Sequence, residues 1–584
     1  MSITSDEAAS QPLLRIDRLQ FTDGTEIEIG DSEIVVLVGP NNSGKTRTLQ
    51  EIQQFISHRP GWPMDRGSFF ALNEISVSKS GTGEEAVSWL KEHRYAWKRP
   101  DNQQDMIRTI GSGEGPIEEI VNFWNNPRPE LGPVAQHFIR TLFCGERLGY
   151  LGTPSRLDIG AHPDHAVQLL ARDPDLFSSF REAFGKAFRQ HIIMDAWGNS
   201  IKLRLSKEQT QDDFTVSTNS GLPDENLISR LSKLQLIETQ SDGVRSFTGI
   251  LLTLLTAQYP LVLIDEPEAF LHPPQARLLG RYLAELHQGG QIFVSTHSLD
   301  VLLGLIEARP DKVVIIRLTR QSSVTSAAML ASSDLSRLWA DPLLRFSRVL
   351  DGIFHDGVVV CEGDTDALFY GTVADRIRSC NGGDFAEIMF TYAASKQRIP
   401  LVTKALRALK VPVKAIVDFD ALNAETTLRS LVTGLGSEYI EDLEHDRKLI
   451  DSHIRGGDII LKVGTVRNSI LSALGEKTEK VVTADMIGAI RSILEPDRGW
   501  KSAKKTGKYG IPSGDASSAT VRLLADLTRS GLFVVPCGEV ESFVKTVGGH
   551  GPQWVLQVIE RNLLESTPEP HDFIKGVLAA FGEQ

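Results

Sequence analysis

Three acids crowd into five residues directly after an apolar run: Val358, Val359, Val360 and Cys361 lead into Glu362, Gly363, Asp364, Thr365 and Asp366. A second strand-like run, Lys414–Val417, ends the same way, in Asp418 and Asp420. On an extended chain the D-x-D spacing puts both carboxylates on one side. Carboxylates held close together repel, which raises the pKa of one of them. A divalent cation removes that penalty, and Mg²⁺ and Mn²⁺ take oxygen ligands of this kind. Two such ions about 4 Å apart can clamp the attacking and leaving oxygens of a phosphodiester. The plain alternative is a pair of solvated strand ends.

A second constellation lies far upstream. Gly39–Thr46, GPNNSGKT, fits G-x-x-x-x-G-K-[ST] between an apolar strand and a helix. Gly39 and Gly44 let the backbone curl around Asn41 and Asn42 so that successive N–H groups face phosphates at a helix N-terminus. Lys45 would reach the β- and γ-phosphates of ATP, and Thr46 would ligate Mg²⁺. Downstream, LVLIDEPEAFLHP runs four apolar residues into Asp265 and Glu266. The first acid is placed to hold Mg²⁺ and the second to polarise an attacking water. In QIFVSTHSLD another strand ends on Thr296 and His297. A His at that tip can sense a γ-phosphate.

These residues need strands that end at one sheet edge. Alternation and β-branched residues mark short strands from about Leu14 to Leu37. About residues 59–160 are irregular and read as an insertion or lobe. The Ser/Thr/Ala-rich stretch TRQSSVTSAAMLASSD falls at the expected change of domain. After it, strands and helices alternate again, which implies a parallel sheet covered by helices. The expected organisation is α/β: a nucleotide-binding domain over 1–320, a linker over 321–352, and a second domain over 353–584 with an insertion at about 421–530.

Composition closes other routes. At 584 residues the chain is too long for one core. The net charge of −13 argues only weakly against nucleic acid, because metal-holding acids add to it. The four cysteines form no CxxC pair, which disfavours a zinc ribbon and suits a reducing cytoplasm. The acidic, polar N-terminus does not read as a secretory signal. The apolar stretch GILLTLLTAQYPLVLI is broken by Gln258 and Pro260, so no membrane span is expected.

Phosphate loop, then SDGVRS at Ser241–Ser246, then DEPE-x-x-LHP and STHS resemble an ABC-type ATPase head of the SMC/RecF/OLD kind. The resemblance implies that Ser241 and Gly243 touch the γ-phosphate bound by a second subunit, hence a homodimer or higher homo-oligomer. Asp242 beside that serine implies slow turnover. E-G-x-x-D followed by strand-D-x-D resembles a Toprim domain, a Rossmann-like fold, here with a C-terminal helical extension. In that family Glu362 would hold metal or act as acid/base, Asp418 and Asp420 would hold metal, and Asp366 would serve a second metal. Toprim nucleases of the OLD type carry a further acid and lysine, for which Glu541 and Lys545 are the candidates. Glu541 reads equally as a helix N-terminal acid. The lysines of GWKSAKKTGKYG, residues 499–510, could grip a DNA backbone or simply be solvated, and Lys396 could contact phosphate.

ATPase head plus Toprim in one chain resembles the OLD (overcoming lysogenization defect) family, the ATPase-nuclease subunit of Gabija systems, and fused PARIS-type proteins. That resemblance implies an ATP-gated, Mg²⁺- or Mn²⁺-dependent endonuclease acting on DNA in anti-phage defence, with a second defence-system protein as a possible partner. An ATPase sensor or scaffold that binds nucleic acid without cutting is the alternative. A topoisomerase would need a nucleophilic tyrosine on its own DNA-binding domain, and a primase often a zinc ribbon; neither is apparent.

Overall fold

Three five-residue runs, Ile34–Val38, Leu261–Asp265 and Gln291–Ser295, are buried at every position. Such continuous apolar strands belong in a parallel sheet covered on both faces. They form the middle of a six-stranded sheet in the order Val324–Leu330, Val313–Gln321, Ile34–Val38, Gln291–Ser295, Leu261–Asp265, Ile139–Leu142. Every pairing is parallel except that of the hairpin Val313–Gln321/Val324–Leu330. In register, Asp265 lies beside Ser295, and Ser295 beside Leu37. The strand ends therefore share one carboxyl edge, where ligands bind in open α/β sheets.

The computed structural model describes residues 14–30, 33–60, 70–111, 113–158, 161–208, 210–214, 224–256, 258–286, 290–340, 348–381, 387–456, 463–475, 481–494 and 499–582. The chain divides into two compact units, Met1–Arg337 and Leu338–Gln584. Among the described residues no helix is long and apolar enough to cross a membrane.

Two expectations need correction. The irregular region 59–160 is not a mere insertion. Its strand Leu72–Lys79 pairs with Leu14–Phe21, and Ile139–Leu142 is an edge of the central sheet. The Pro, Gly and Trp scattered through the flanking segments hid that role from pattern reading. The polar stretch assigned to a linker instead carries Val324–Leu330, which alternates buried and open positions as an edge strand does. The division between the units follows it.

The second unit has a four-stranded parallel sheet in the order Ile388–Tyr392, Gly357–Cys361, Val413–Val417, Leu532–Val534. The helix Asp364–Asn381 packs on it, and the C-terminal helix Pro568–Ala579 packs on that helix. Trp554, Phe369, Phe543 and Val555 fill the core between them. Between Asp420 and Leu532 the described chain is mostly helical. Glu441–Gly456 and Asp515–Arg529 pack together, joined by an Arg522–Asp446 ion pair of 2.6 Å.

Candidate functional site

The phosphate loop leaves its strand at Gly39. A side chain there would meet the Leu318 carbonyl oxygen at 2.2 Å, so the position admits only glycine. Asn41 and Asn42 are exposed on the loop, and Gly44, at φ 97°, turns it into the helix Lys45–Ile56. Lys45 Nζ donates to the carbonyls of Gly39 (3.0 Å) and Pro40 (2.8 Å) and to Ser43 Oγ (3.2 Å). Burial lowers its pKa to about 8 against the pull of Glu266 and Asp265. Thr46 Oγ1 donates to Asp265 Oδ1 at 2.8 Å, and Ser295 Oγ donates to the same oxygen. The hydroxyl and the carboxylate expected to share a cation thus already meet.

Glu266 sits in the left-handed region at φ 45°, an uncommon conformation for a side-chain-bearing residue. Its amide donates to the Ser295 carbonyl at 2.9 Å. The fully buried Arg147 donates Nη1 to the Asp265 carbonyl (2.5 Å) and Nη2 to the Glu266 carbonyl (2.6 Å). His297 Nε2 lies 3.6 Å from Glu266 Oε1, and its amide donates to Glu268 Oε1 at 2.7 Å. Burial, then Lys45, lowers the His297 pKa. Burial raises that of Glu268.

Ser241 is exposed just before the helix Asp242–Thr256. Asp242 pairs with Arg245 at 3.2 Å, so its charge is partly offset. Gly243 lies against its own chain's Phe270 carbonyl, which a side chain would approach to 2.3 Å. Sequence reasoning missed Arg147, because it sits in the stretch read as insertion. Its signal was a lone arginine two residues after a glycine, too common to single out.

In the second unit the strands Gly357–Cys361 and Val413–Val417 are adjacent and parallel, with Val360 beside Ala415. Glu362 and Asp418 follow directly at the carboxyl edge, and the Asp418 amide donates to Glu362 Oε1 at 3.0 Å. One carboxylate oxygen from each of Glu362, Asp418 and Asp420 lies within 4.8 Å of the others. Asp366 Oδ2 accepts the Gly363 amide at 3.0 Å on the first turn of its helix. Glu541 Oε1 accepts the Gly551 amide at 3.1 Å.

Burial first, and mutual repulsion second, push the carboxyls of this cluster upward. Burial, then the Asp418 charge, raises Glu362 to about 7. Burial, Asp418 and also Glu541 raise Asp366 to about 6. Asp418 is raised by burial although Lys504 opposes it. Such a donor set fits a hard divalent cation: oxygen-only, clustered and half-buried. Where the acids meet no cation, proton uptake lowers the same penalty.

The lysines stand differently toward the acids. Lys545 is exposed and has no ion pair with the acids among the described residues. It falls just past the short 3-10 turn Val540–Phe543, where Phe543 and Val544 take the buried side. Lys396 Nζ pairs with Asp420 Oδ1 at 2.8 Å, and Lys504 Nζ with Asp418 Oδ2 at 3.1 Å. Lys504 comes from the helix Trp500–Thr506, within the region read as insertion. Two glycines seat that helix on the sheet edge. A side chain on Gly507 would meet the Pro536 carbonyl oxygen at 2.2 Å, and one on Gly538 the Lys504 carbonyl oxygen at 2.1 Å.

Residues 172–304 match the family model described as "AAA domain, putative AbiEii toxin, Type IV TA system". Residues 353–420 match "Overcoming lysogenization defect protein-like, TOPRIM domain". The first match spans Ser241 to His297, and the second spans Glu362 to Asp420. The chain is therefore an α/β protein with an AAA-type P-loop ATPase domain followed by a Toprim domain. That is the ATPase–Toprim architecture of the OLD family. Similar solved structures include an SMC head bound to the C-winged helix domain of ScpA (12% identity, 55% of this chain and 99% of that chain, TM-score 0.33). Another is the SMC head domain from Thermotoga maritima (14% identity, 55% and 98%, TM-score 0.27). No curated protein matches the chain.

Proposed function

We propose that this protein is an ATP-gated, divalent-metal-dependent endonuclease that nicks or cleaves DNA. The observation that carries the reading is the meeting of Glu362, Asp418 and Asp420 at one sheet edge, their ligand oxygens within 4.8 Å. These three would hold Mg²⁺ or Mn²⁺, with Asp366 and Glu541 facing a second ion. A bound divalent ion there supplies Lewis-acid neutralisation of the phosphodiester and a water of lowered pKa. Glu362, with its pKa raised to about 7, is suited to take or give a proton at its carboxylate near neutrality.

In the head, Lys45 would leave its loop carbonyls for the nucleotide phosphates. Thr46 and Asp265 would share Mg²⁺, Glu266 would orient water, and His297 would sense the γ-phosphate. Ser241 and Gly243 would complete the site of a partner subunit, so that ATP sets the geometry of a dimer or larger assembly. The anti-phage setting rests on the family resemblance, and one matched model's description names a type IV toxin–antitoxin system.

The lysine–aspartate pairs favour one second reading, an ATPase sensor whose Toprim domain binds nucleic acid without cutting. End-labelled duplex DNA, single-stranded DNA and RNA, incubated with Mg²⁺ or Mn²⁺, separate the two. The nuclease reading expects products from DNA that vanish in Glu362→Ala. ATP hydrolysis with no product from any substrate would support the sensor.

A further inference from the structure

Both aspartates of the D-x-D pair are held by lysines that come from outside it. Lys396 follows the strand Ile388–Tyr392, in a loop pinned by the Ala393 amide on the Cys361 carbonyl at 3.1 Å and by Ala394 at φ 64°. Lys504 is anchored at its backbone by the close approach of Gly538 to its carbonyl. The side chain of Lys504 is 39% exposed and that of Lys396 20%, so each ammonium has a way out toward solvent while its Cα stays fixed. A lysine head on a four-carbon stem is a mobile point charge with three donors and can change partner without backbone movement.

We infer that Lys396 and Lys504 are resident counter-ions of the acid cluster, which a divalent metal displaces and which then grip the phosphate backbone of the nucleic acid. The inference rests on the metal-centre reading above and adds its regulation. Each ammonium neutralises a carboxylate that the metal needs, so it competes with metal entry. Once the carboxylate is taken, the ammonium loses its ion-pair partner beside the catalytic edge, and a phosphate is the anion delivered there. Metal and nucleic acid therefore bind cooperatively, and stray metal without substrate binds weakly. The helix Trp500–Thr506 becomes a working part of the centre.

The test is titration calorimetry of the full chain with Mn²⁺ alone, without nucleotide, for wild type, Glu362→Gln, Lys396→Met and Lys504→Met. Losing an opposing charge a few ångströms from a half-buried ligand should tighten Mn²⁺ binding about fivefold in each lysine variant. Anisotropy with a labelled DNA duplex and Ca²⁺ should show the opposite. Ca²⁺ strengthens wild-type binding, the lysine variants lose about fivefold of that gain, and the salt dependence falls by about one phosphate contact each. Glu362-dependent Mn²⁺ binding that is unchanged or weaker in both lysine variants overturns this inference and leaves the metal centre standing. No Glu362-dependent Mn²⁺ binding at all overturns the metal centre and this inference with it. If Lys504→Met loses its cooperative melt, Lys396→Met decides alone, since its loop does not carry the Gly507–Gly538 contact.

Discussion

Glu362 concentrates the conflict between stability and chemistry. A carboxylate whose folded pKa is raised from its usual value to about 7 binds a proton more readily folded than unfolded. Its contribution to stability is fully present below the unfolded pKa and is lost as pH rises through about 7. Without added metal, Glu362→Gln should therefore melt higher than wild type at pH 8, by a few degrees, and equally at pH 4. A variant that melts lower at pH 8 would mean that the carboxylate stabilises the fold, contrary to its burial beside Asp418. Arg147 makes a second case. Its guanidinium fixes both carbonyls of the Asp265–Glu266 turn, and hydrogen bonds from a charged donor contribute about 1.5–3 kcal/mol each. Arg147→Lys keeps the charge and loses the fork, so ATP turnover should fall about ten- to a hundredfold while nucleotide affinity holds within about threefold. Stopped-flow hydrolysis and equilibrium binding separate the two, and an equal loss in both would make Arg147 a fold residue only.

Elements decide which residues meet, and here the sequence was legible in some places and opaque in others. Both acid-tipped strands of the Toprim domain are short, apolar and bounded by Gly or acid, so their ends could be read directly as Glu362 and Asp418. The phosphate loop and its helix were legible for the same reason. Lys504 was ambiguous, because a lysine-rich loop looks the same whether solvated or docked. What docks it is steric: the absence of side chains at Gly507 and Gly538 lets the helix Trp500–Thr506 approach the sheet edge. Gly507 also sits at φ 54°, which disfavours any L side chain. Gly507→Ala should therefore destabilise the second unit by about 1–3 kcal/mol and expose the 499–510 segment to proteolysis. Urea denaturation with limited trypsin digestion checks it; an unchanged midpoint and digest would contradict the docking. The strands Leu72–Lys79 and Ile139–Leu142 were missed because neighbouring Pro, Gly and Trp break the periodicity that marks a strand. Only pairing with distant partners reveals them.

At the scale of the molecule, two acid-bearing sheet edges lie in one chain, and in the proposed function one gates the other. Ser241 is exposed at the start of its helix, where a second subunit's nucleotide could reach it. Glu266→Gln, which should bind ATP without turning it over, is expected to shift to a dimer or larger species with ATP and Mg²⁺ in light scattering. Adding Ser241→Arg should return it to the smaller species while nucleotide still binds. An assembly indifferent to both changes would contradict the gating. The central claim, that strand-end acids make a metal-dependent nuclease, is tested most directly by nicking of a supercoiled plasmid. Wild type, Glu362→Gln and Lys45→Ala would be compared with Mn²⁺ or Mg²⁺, with and without ATP. Metal-dependent open-circle product is expected from wild type, none from Glu362→Gln, and a response to ATP that Lys45→Ala abolishes. Product that persists in Glu362→Gln, or wild type that leaves the plasmid intact under every condition, would contradict it.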